Sequence, residues 1–370
     1  MKKILFYTDT PQVGGAELQM FLLAKFLNKE QFTPILACSN YEKLDRWCEN
    51  FEKEGIKVIR LKVRSKHDPR HYFQLRKILR REKIDLLHLH IWNPASCRYA
   101  FLAAGKIPVI TTEHDPFELD RIKNIYKKWT LKKVSKIVTV SEENKKLINR
   151  LYPQQKKKIT VIHNGIDITW WQSQTLRFTE QELIDIKEEI FLTNKDSLII
   201  ISIAELHERK GLKYLIEAIS TLKPKFPNIK LVIIGEGPER SELESQIKKL
   251  ELEEFVILLG RRKEIPKLLK AANIFALPSR REAFGLVNLE AMITPLPIVA
   301  TAVGGIPEVV TENGILIPPE DSKALAAALK KLITSAPLRE KLAAAGKKRI
   351  LSDFDARKMA EKYEKIYQSS

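Results

Sequence analysis

The sequence is poor in cysteine, in glycine and in long hydrophobic runs, and each shortage removes a class of protein. Its three cysteines, Cys38, Cys48 and Cys97, make an odd number with no CxxC spacing, which excludes a disulfide framework and a zinc knuckle. They read as small core residues. The longest apolar run, residues 198–204, is broken by Ser202 and falls far short of the roughly 18 residues that a membrane-spanning helix needs. The apolar stretch behind Lys2 and Lys3 stops at Thr8, Asp9 and Thr10, too soon for a secretory signal, so the expected location is cytoplasmic. With 14 glycines in 370 residues, 44% hydrophobic and 30% charged positions, the chain is neither low-complexity nor disordered. At this length two domains of ordinary size are expected.

What is abundant is positive charge, and it is unevenly spread. Of the net +18, residues 1–160 carry +16, holding 33 of the 64 Lys+Arg and 17 of the 46 Asp+Glu. Such a field attracts a polyanion: nucleic acid, anionic lipid or a phosphorylated substrate. No RNP, KH or zinc-finger signature accompanies the charge, so no nucleic-acid partner is expected.

Short apolar runs of β type alternate with amphipathic helical stretches, the pattern of parallel sheets covered on both faces. A first series places strands at 3–7, 33–37, 57–61, 86–90, 109–112, 136–140 and 160–162, with helices at 17–27 and 73–81. A second places strands at 197–203, 230–234, 256–259, 274–277 and 298–300, with helices near 214–222, 241–250 and 322–334. These are two Rossmann-like α/β halves. The boundary is expected just after Asn164-Gly165-Ile166-Asp167, where a strand ends in a turn signal. The adjacent Trp170 and Trp171 are expected to pack into the domain junction rather than stack on a sugar. The last helix is expected at 356–367.

The chemistry-bearing motifs lie where strands hand over to helices. Gly14 and Gly15 follow the first strand; backbone N–H groups there can approach an anion or a sugar oxygen, or the pair makes only a tight turn. Arg209, Lys210 and Gly211 follow the strand at 197–203, where parallel sheets bind ligands; a solvated basic turn is the alternative. Gly235-Glu236-Gly237-Pro238 forms another strand-end loop able to pass close to a base. Glu282 and Glu290 stand eight apart, with Phe284 and Gly285 between them. One carboxylate falls before a helix and the other about a turn inside it, near its positive end. With the amides of Phe284 and Gly285 they can grip the hydroxyls of a sugar and a ribose, or serve as a cap and a surface glutamate. His88 and His90, two apart on a strand, and His67 and His71, in a basic surface stretch, lack a third ligand at metal-site spacing. Asp353-Phe354-Asp355 precedes the last helix and reads as a cap rather than a metal-binding DxD.

In order and spacing, Gly14-Gly15-Ala16-Glu17, Thr112-Glu113-His114-Asp115, Asn164-Gly165-Ile166-Asp167, Lys210-Gly211, Gly235-Glu236-Gly237, the Glu282 to Glu290 pair and Gly304-Gly305-Ile306-Pro307-Glu308 resemble the family 4 retaining glycosyltransferases over nearly the whole chain. That resemblance implies a GT-B fold, two Rossmann-like domains facing an inter-domain cleft. An acceptor-binding domain is expected at 1–166, a nucleotide-sugar-binding domain at 167–353, and a helix at 354–370 that crosses back to the first domain. It further implies transfer of a sugar from a UDP-, GDP- or ADP-sugar to a glycan or lipid-linked acceptor, with retention and without a metal. In this scheme Gly15 offers its amide to the donor's phosphate or sugar and His114 touches the transferred sugar. Lys210 binds the diphosphate, Glu282 with the Phe284-Gly285 backbone binds the sugar, and Glu290 binds the ribose.

One departure bears on activity. Where the family has Gly-Arg, five residues before the lysine, this chain has Ala204-Glu205, leaving Arg209 as the nearby substitute cation. A phosphorylase, an inverting transferase and a catalytically weak sugar-nucleotide-binding subunit on the same fold are the alternatives. The basic first half points to an anionic membrane surface as a further partner, through residues 121–134 and 62–83; the alternative is an apolar stripe packed on the sheet with solvated lysines.

Overall fold

The structure, a computed structural model, describes residues 1–370 except 64, 92, 94, 95 and 195. It divides into two units, one formed by Met1–Gly165 with Ala356–Ser370 and the other by Ile166–Asp355.

The first unit is built on β1 (Lys2–Thr8), β2 (Phe32–Ser39), β3 (Lys57–Leu61), β4 (Leu86–Ile91), β5 (Val109–Glu113), β6 (Lys136–Thr139) and β7 (Ile159–Val161). Between them run α1 (Gly15–Phe26), α2 (Asp45–Lys53), α3 (Arg70–Arg81), α4 (Arg98–Ala103), α5 (Arg121–Lys133) and α6 (Glu142–Leu151). The strands pair in parallel in the order β3-β2-β1-β4-β5-β6-β7. Every residue of β4 is buried, as expected for a parallel strand covered on both faces. One face packs against Leu23 of α1 and Phe51 of α2. The other packs against Leu75, Phe101, Leu131 and Ile148 of α3 to α6.

The second unit repeats the plan with β8 (Leu198–Ile203), β9 (Ile229–Ile234), β10 (Val256–Leu258), β11 (Ile274–Leu277), β12 (Ile298–Thr301) and β13 (Ile315–Ile317), ordered β10-β9-β8-β11-β12-β13. Its helices include α7 (Ile168–Thr175), α8 (Glu180–Asp185), α9 (Leu212–Leu222), α10 (Arg240–Lys249), α11 (Ile265–Ala271), α12 (Leu286–Ile293), α13 (Ile306–Val310), α14 (Ser322–Thr334) and α15 (Ala336–Asp353). The chain then returns, and α16 (Ala356–Gln368) packs in the first unit through Met359, Tyr363 and Tyr367. The Tyr367 hydroxyl meets His88 Nδ1 at 2.6 Å and the Tyr363 hydroxyl meets Thr112 Oγ1 at 2.9 Å.

In both sheets the strand order reverses direction beside the first strand, between β1 and β4 and between β8 and β11. Loops at the carboxyl ends of such neighbours diverge and leave the crevice where open α/β sheets bind ligands.

Three sequence expectations need correction here. Trp171 is buried but Trp170 is 46% exposed, because adjacent helical positions point about 100° apart and only one side of α7 faces α11 and α12. His71 is not on the surface: it is fully buried, bonded to the Tyr7 hydroxyl at 2.8 Å and to Ser65 O at 3.0 Å. The alternative drawn for α5, an apolar stripe packed on the sheet, does not hold: Ile122 and Ile125 lie in solvent. Lys127 lies beneath, paired with the equally buried Glu113 at 2.6 Å.

Candidate functional site

The first switch point presents a glycine loop, a buried carboxyl and two imidazoles. Gly14 caps α1 and its N–H donates to Glu17 Oε2 at 3.0 Å, while the Thr8 hydroxyl donates to Glu17 Oε1 at 3.3 Å. Glu17, 2% exposed, therefore fixes the loop that presents Gly15. Burial pushes its carboxyl upward. Glu17 stands three residues after the cap, the position from which a glutamate side chain reaches back to the cap's N–H.

Beside this loop, His90 at the end of β4 and His114 just after β5 meet, Nδ1 to Nε2 at 3.0 Å, with nearly stacked rings. Burial pushes His114 down to about 3 and His90 well below its usual value, so both are neutral at neutral pH. One imidazole must donate to the other, and Nε2 of His90 is buried with no hydrogen-bond partner among the described residues. His88, also pushed down to about 3, is spent on Tyr367 and Thr112, a packing role. Among the described residues no three His, Cys, Asp or Glu side chains gather as a metal site.

The second switch point carries charge. β8 leads to a turn over Glu208–Lys210, which ends at Gly211 with φ +63°. A Cβ on Gly211 would lie 2.3 Å from Pro278 O, so only glycine lets this turn press on the loop after β11. The N–H groups of Arg280 and Arg281 donate to Arg209 O at 2.8 and 3.2 Å, tying the two loops together. Across that tie Lys210 Nζ meets Glu282 Oε2 at 2.5 Å, both side chains 12% exposed. From the far side Gly304, φ +55°, backs the Glu282 backbone so closely that a Cβ would stand 1.6 Å from Glu282 O.

Gly285, φ +81°, then caps α12. Glu290 lies just over one turn inside that helix, and loss of solvent pushes its carboxyl up to about 7. Its carboxylate has no hydrogen bond or ion pair among the described residues. The Phe284 side chain is buried against Phe354. Gly237, after β9, packs on the backbone of Leu206.

The structure thus brings Lys210, Glu282, Gly285 and Glu290 to one end of the second sheet, and Gly14, Gly15 and His114 to one end of the first. Arg209 is paired with the residue that departs from the family pattern: its guanidinium bonds Glu205 Oε2 at 3.1 Å. Sequence reasoning missed His90, whose partnership depends on strand register. It also missed Asn288, fully buried in the first turn of α12 with neither side-chain polar atom bonded among the described residues; nothing in a lone asparagine signals this. Asp353 closes α15 and Asp355 stands immediately before α16.

Two Rossmann-like units on parallel sheets are the GT-B fold of sugar transferases. Residues 13–170 match the model of Glycosyltransferase Family 4, and residues 184–349 that of Glycosyl transferases group 1. The chain belongs to the family 4 glycosyltransferases. It is 27% identical, over 80% of its length and 77% of the relative's, to the N-acetyl-alpha-D-glucosaminyl L-malate synthase of Bacillus anthracis. It is 28% identical, over 88% of its length and 71% of the relative's, to the phosphatidylinositol N-acetylglucosaminyltransferase gpi3 subunit of Schizosaccharomyces pombe. Among solved structures, Anabaena Alr3699/HepE in complex with UDP and glucose shares its fold at a TM-score of 0.85 and 21% identity, with both chains fully covered. The chain is a sugar transferase. Among the described residues no helix is long and apolar enough to cross a membrane.

Proposed function

We propose that this protein transfers a hexosyl unit from a nucleoside diphosphate sugar to a glycan or lipid-linked acceptor, retaining the anomeric configuration. The observation that carries the reading is the half-buried Lys210–Glu282 pair with unpartnered Glu290 at the second switch point. A cation paired with one carboxylate, and a second carboxylate on the helix that follows, match a diphosphate that carries a sugar on one side and a ribose on the other. In the occupied site Lys210 turns to the diphosphate, Glu282 and the amides of Phe284 and Gly285 take sugar hydroxyls, and Glu290 accepts from the ribose. The UDP and glucose bound by the Anabaena protein support this class of donor. In the first unit, the Gly15 amide and His114 are assigned to the donor sugar and acceptor side.

The bond from the anomeric carbon to the phosphate oxygen breaks with its electron pair on phosphate. The acceptor oxygen bonds the same face of that carbon, and its proton passes to the departing phosphate. Lys210 stabilises the charge developing there, which assigns that task to a side chain rather than a metal. Calorimetric titration with UDP, GDP, ADP and their sugars, followed by the anomeric NMR coupling of the product, tests the reading. Binding of none of them, or an inverted product, overturns it.

A further inference from the structure

The first unit carries a surface that its strand-end chemistry does not use. α3, α4 and α5 stand side by side on one face of the sheet. Together they hold twelve Arg and Lys and no Asp or Glu. The other helices of the unit, α1, α2 and α16 on the opposite face and α6 on the same face, mix both signs, so the one-signed charge is concentrated on α3, α4 and α5.

Apolar side chains occupy the middle of that charged side. Ile122 is 81% exposed, Ile125 66% and Trp129 36%. At 3.6 residues per turn these three fall within an arc of about 60°, centred on solvent, while Lys127, Thr130 and Leu131 face the sheet. Arg121, Lys128 and Lys132 flank the stripe on one side. Lys133 lies on the other, its ammonium 4.1 Å from the Trp129 ring. The buried Lys127–Glu113 pair pins the helix in this rotation. On α3, Phe73 is 68% exposed at the edge of a hollow of about 420 Å³ lined otherwise by Arg76, Lys77, Arg80 and Arg81. Leu102 of α4 is also exposed.

We infer that the α3–α5 face docks on the surface of an anionic lipid bilayer, with Ile122, Ile125, Trp129 and Phe73 entering the headgroup region and the flanking basic side chains meeting lipid phosphates. An exposed stripe of aliphatic and aromatic side chains bordered by cations is the arrangement of an interfacial helix. A second copy of the chain does not fit, since the face would meet its own positive charge. Nucleic acid would satisfy the cations but leave Ile122 and Ile125 against phosphate or water. The inference goes beyond the transfer reading, because docking needs neither donor nor acceptor.

The test is co-sedimentation of the full chain with vesicles of phosphatidylcholine, alone or mixed with phosphatidylglycerol, without nucleotide. The wild type should bind the mixed vesicles and not the neutral ones, and release at high salt. The triple variant Lys128→Ser, Lys132→Ser, Lys133→Ser should lower the partition on the order of a hundredfold. Ile122→Ser with Ile125→Ser and Trp129→Ser should lower it at least about tenfold at unchanged circular dichroism. A wild type that stays in the supernatant with anionic vesicles at low salt overturns the inference. So does binding that the apolar variant retains in full, which would mark a general polyanion surface fitted to nucleic acid or an acidic protein.

Discussion

The two sheets share a strand order and a switch point, yet what they gather there differs. The end of the first sheet presents a glycine loop braced by buried Glu17 and two imidazoles held neutral by burial. The end of the second presents an ammonium against one carboxylate and a second carboxylate with no partner. Neutral donors and acceptors suit hydroxyl groups, whose recognition is directional and carries no net charge. A fixed cation suits a diphosphate, with which it forms a charge-assisted bond stronger than a neutral donor's. One topology thus supplies two crevices, and the side chains at the strand ends decide which ligand chemistry each serves.

The largest effect should come from the cation. Lys210→Ala removes a charge-assisted bond worth about 1.5 to 3 kcal/mol, so nucleoside diphosphate affinity should fall roughly ten- to a hundredfold, with transfer falling further; unchanged affinity in calorimetry would break the comparison on its charged side. The neutral side is tested by His114→Ala. It should lower turnover by about ten- to a hundredfold while leaving nucleoside diphosphate affinity as it is, and an equal loss in both would place the histidine with the diphosphate instead.

The carboxylates sharpen the picture. Glu290→Gln should weaken binding of the bare nucleoside diphosphate, whereas Glu282→Gln should act mainly on the sugar-bearing donor; identical behaviour refutes the division of labour. A pH series adds a sign. Glu290 is pushed up to about 7, and its ionised form accepts ribose hydroxyls best, so nucleotide affinity should rise as pH rises through 7. The Glu290→Gln variant should lose that dependence. For the folded protein the sign is opposite, because the raised carboxyl holds its proton in the native state. Its favourable contribution is present below the unfolded value near 4.5 and is lost as pH climbs through 7. The smallest effect belongs to Glu205. Its ion pair with Arg209 is half exposed and worth little by itself, so Glu205→Arg should tighten nucleotide binding only a few-fold.

Much of this was legible in the sequence. β-branched and leucine-rich runs marked the strands from β1 to β12 and the motifs at their ends, because a strand buried on both faces must be apolar along its length. β13, Ile315-Leu316-Ile317 between Gly314 and Pro318, bears the same apolar mark yet did not enter the expected elements. α15 gave no clear signal, since its alanines, lysines and arginines carry little amphipathic contrast and its Gly346 interrupts the helical pattern. The charged site was readable because Lys210, Glu282 and Glu290 flank glycines at strand ends. The neutral site was half readable: His114 stood in a motif, but His90 joins it only through the pairing of His90 with Thr112 in adjacent strands. Lys127 shows the limit most plainly. Its sequence neighbours Lys128, Lys132 and Lys133 lie in solvent, and only the fold turns it inward to Glu113.

The most direct test of the account is hydrogen–deuterium exchange with and without a saturating nucleoside diphosphate. The account predicts slowed exchange at residues 208–212 and 282–291, around Lys210, Glu282 and Glu290, with far smaller change at 13–17, 88–91 and 113–115. Protection confined to the first sheet's loops, with none around Lys210, would contradict it.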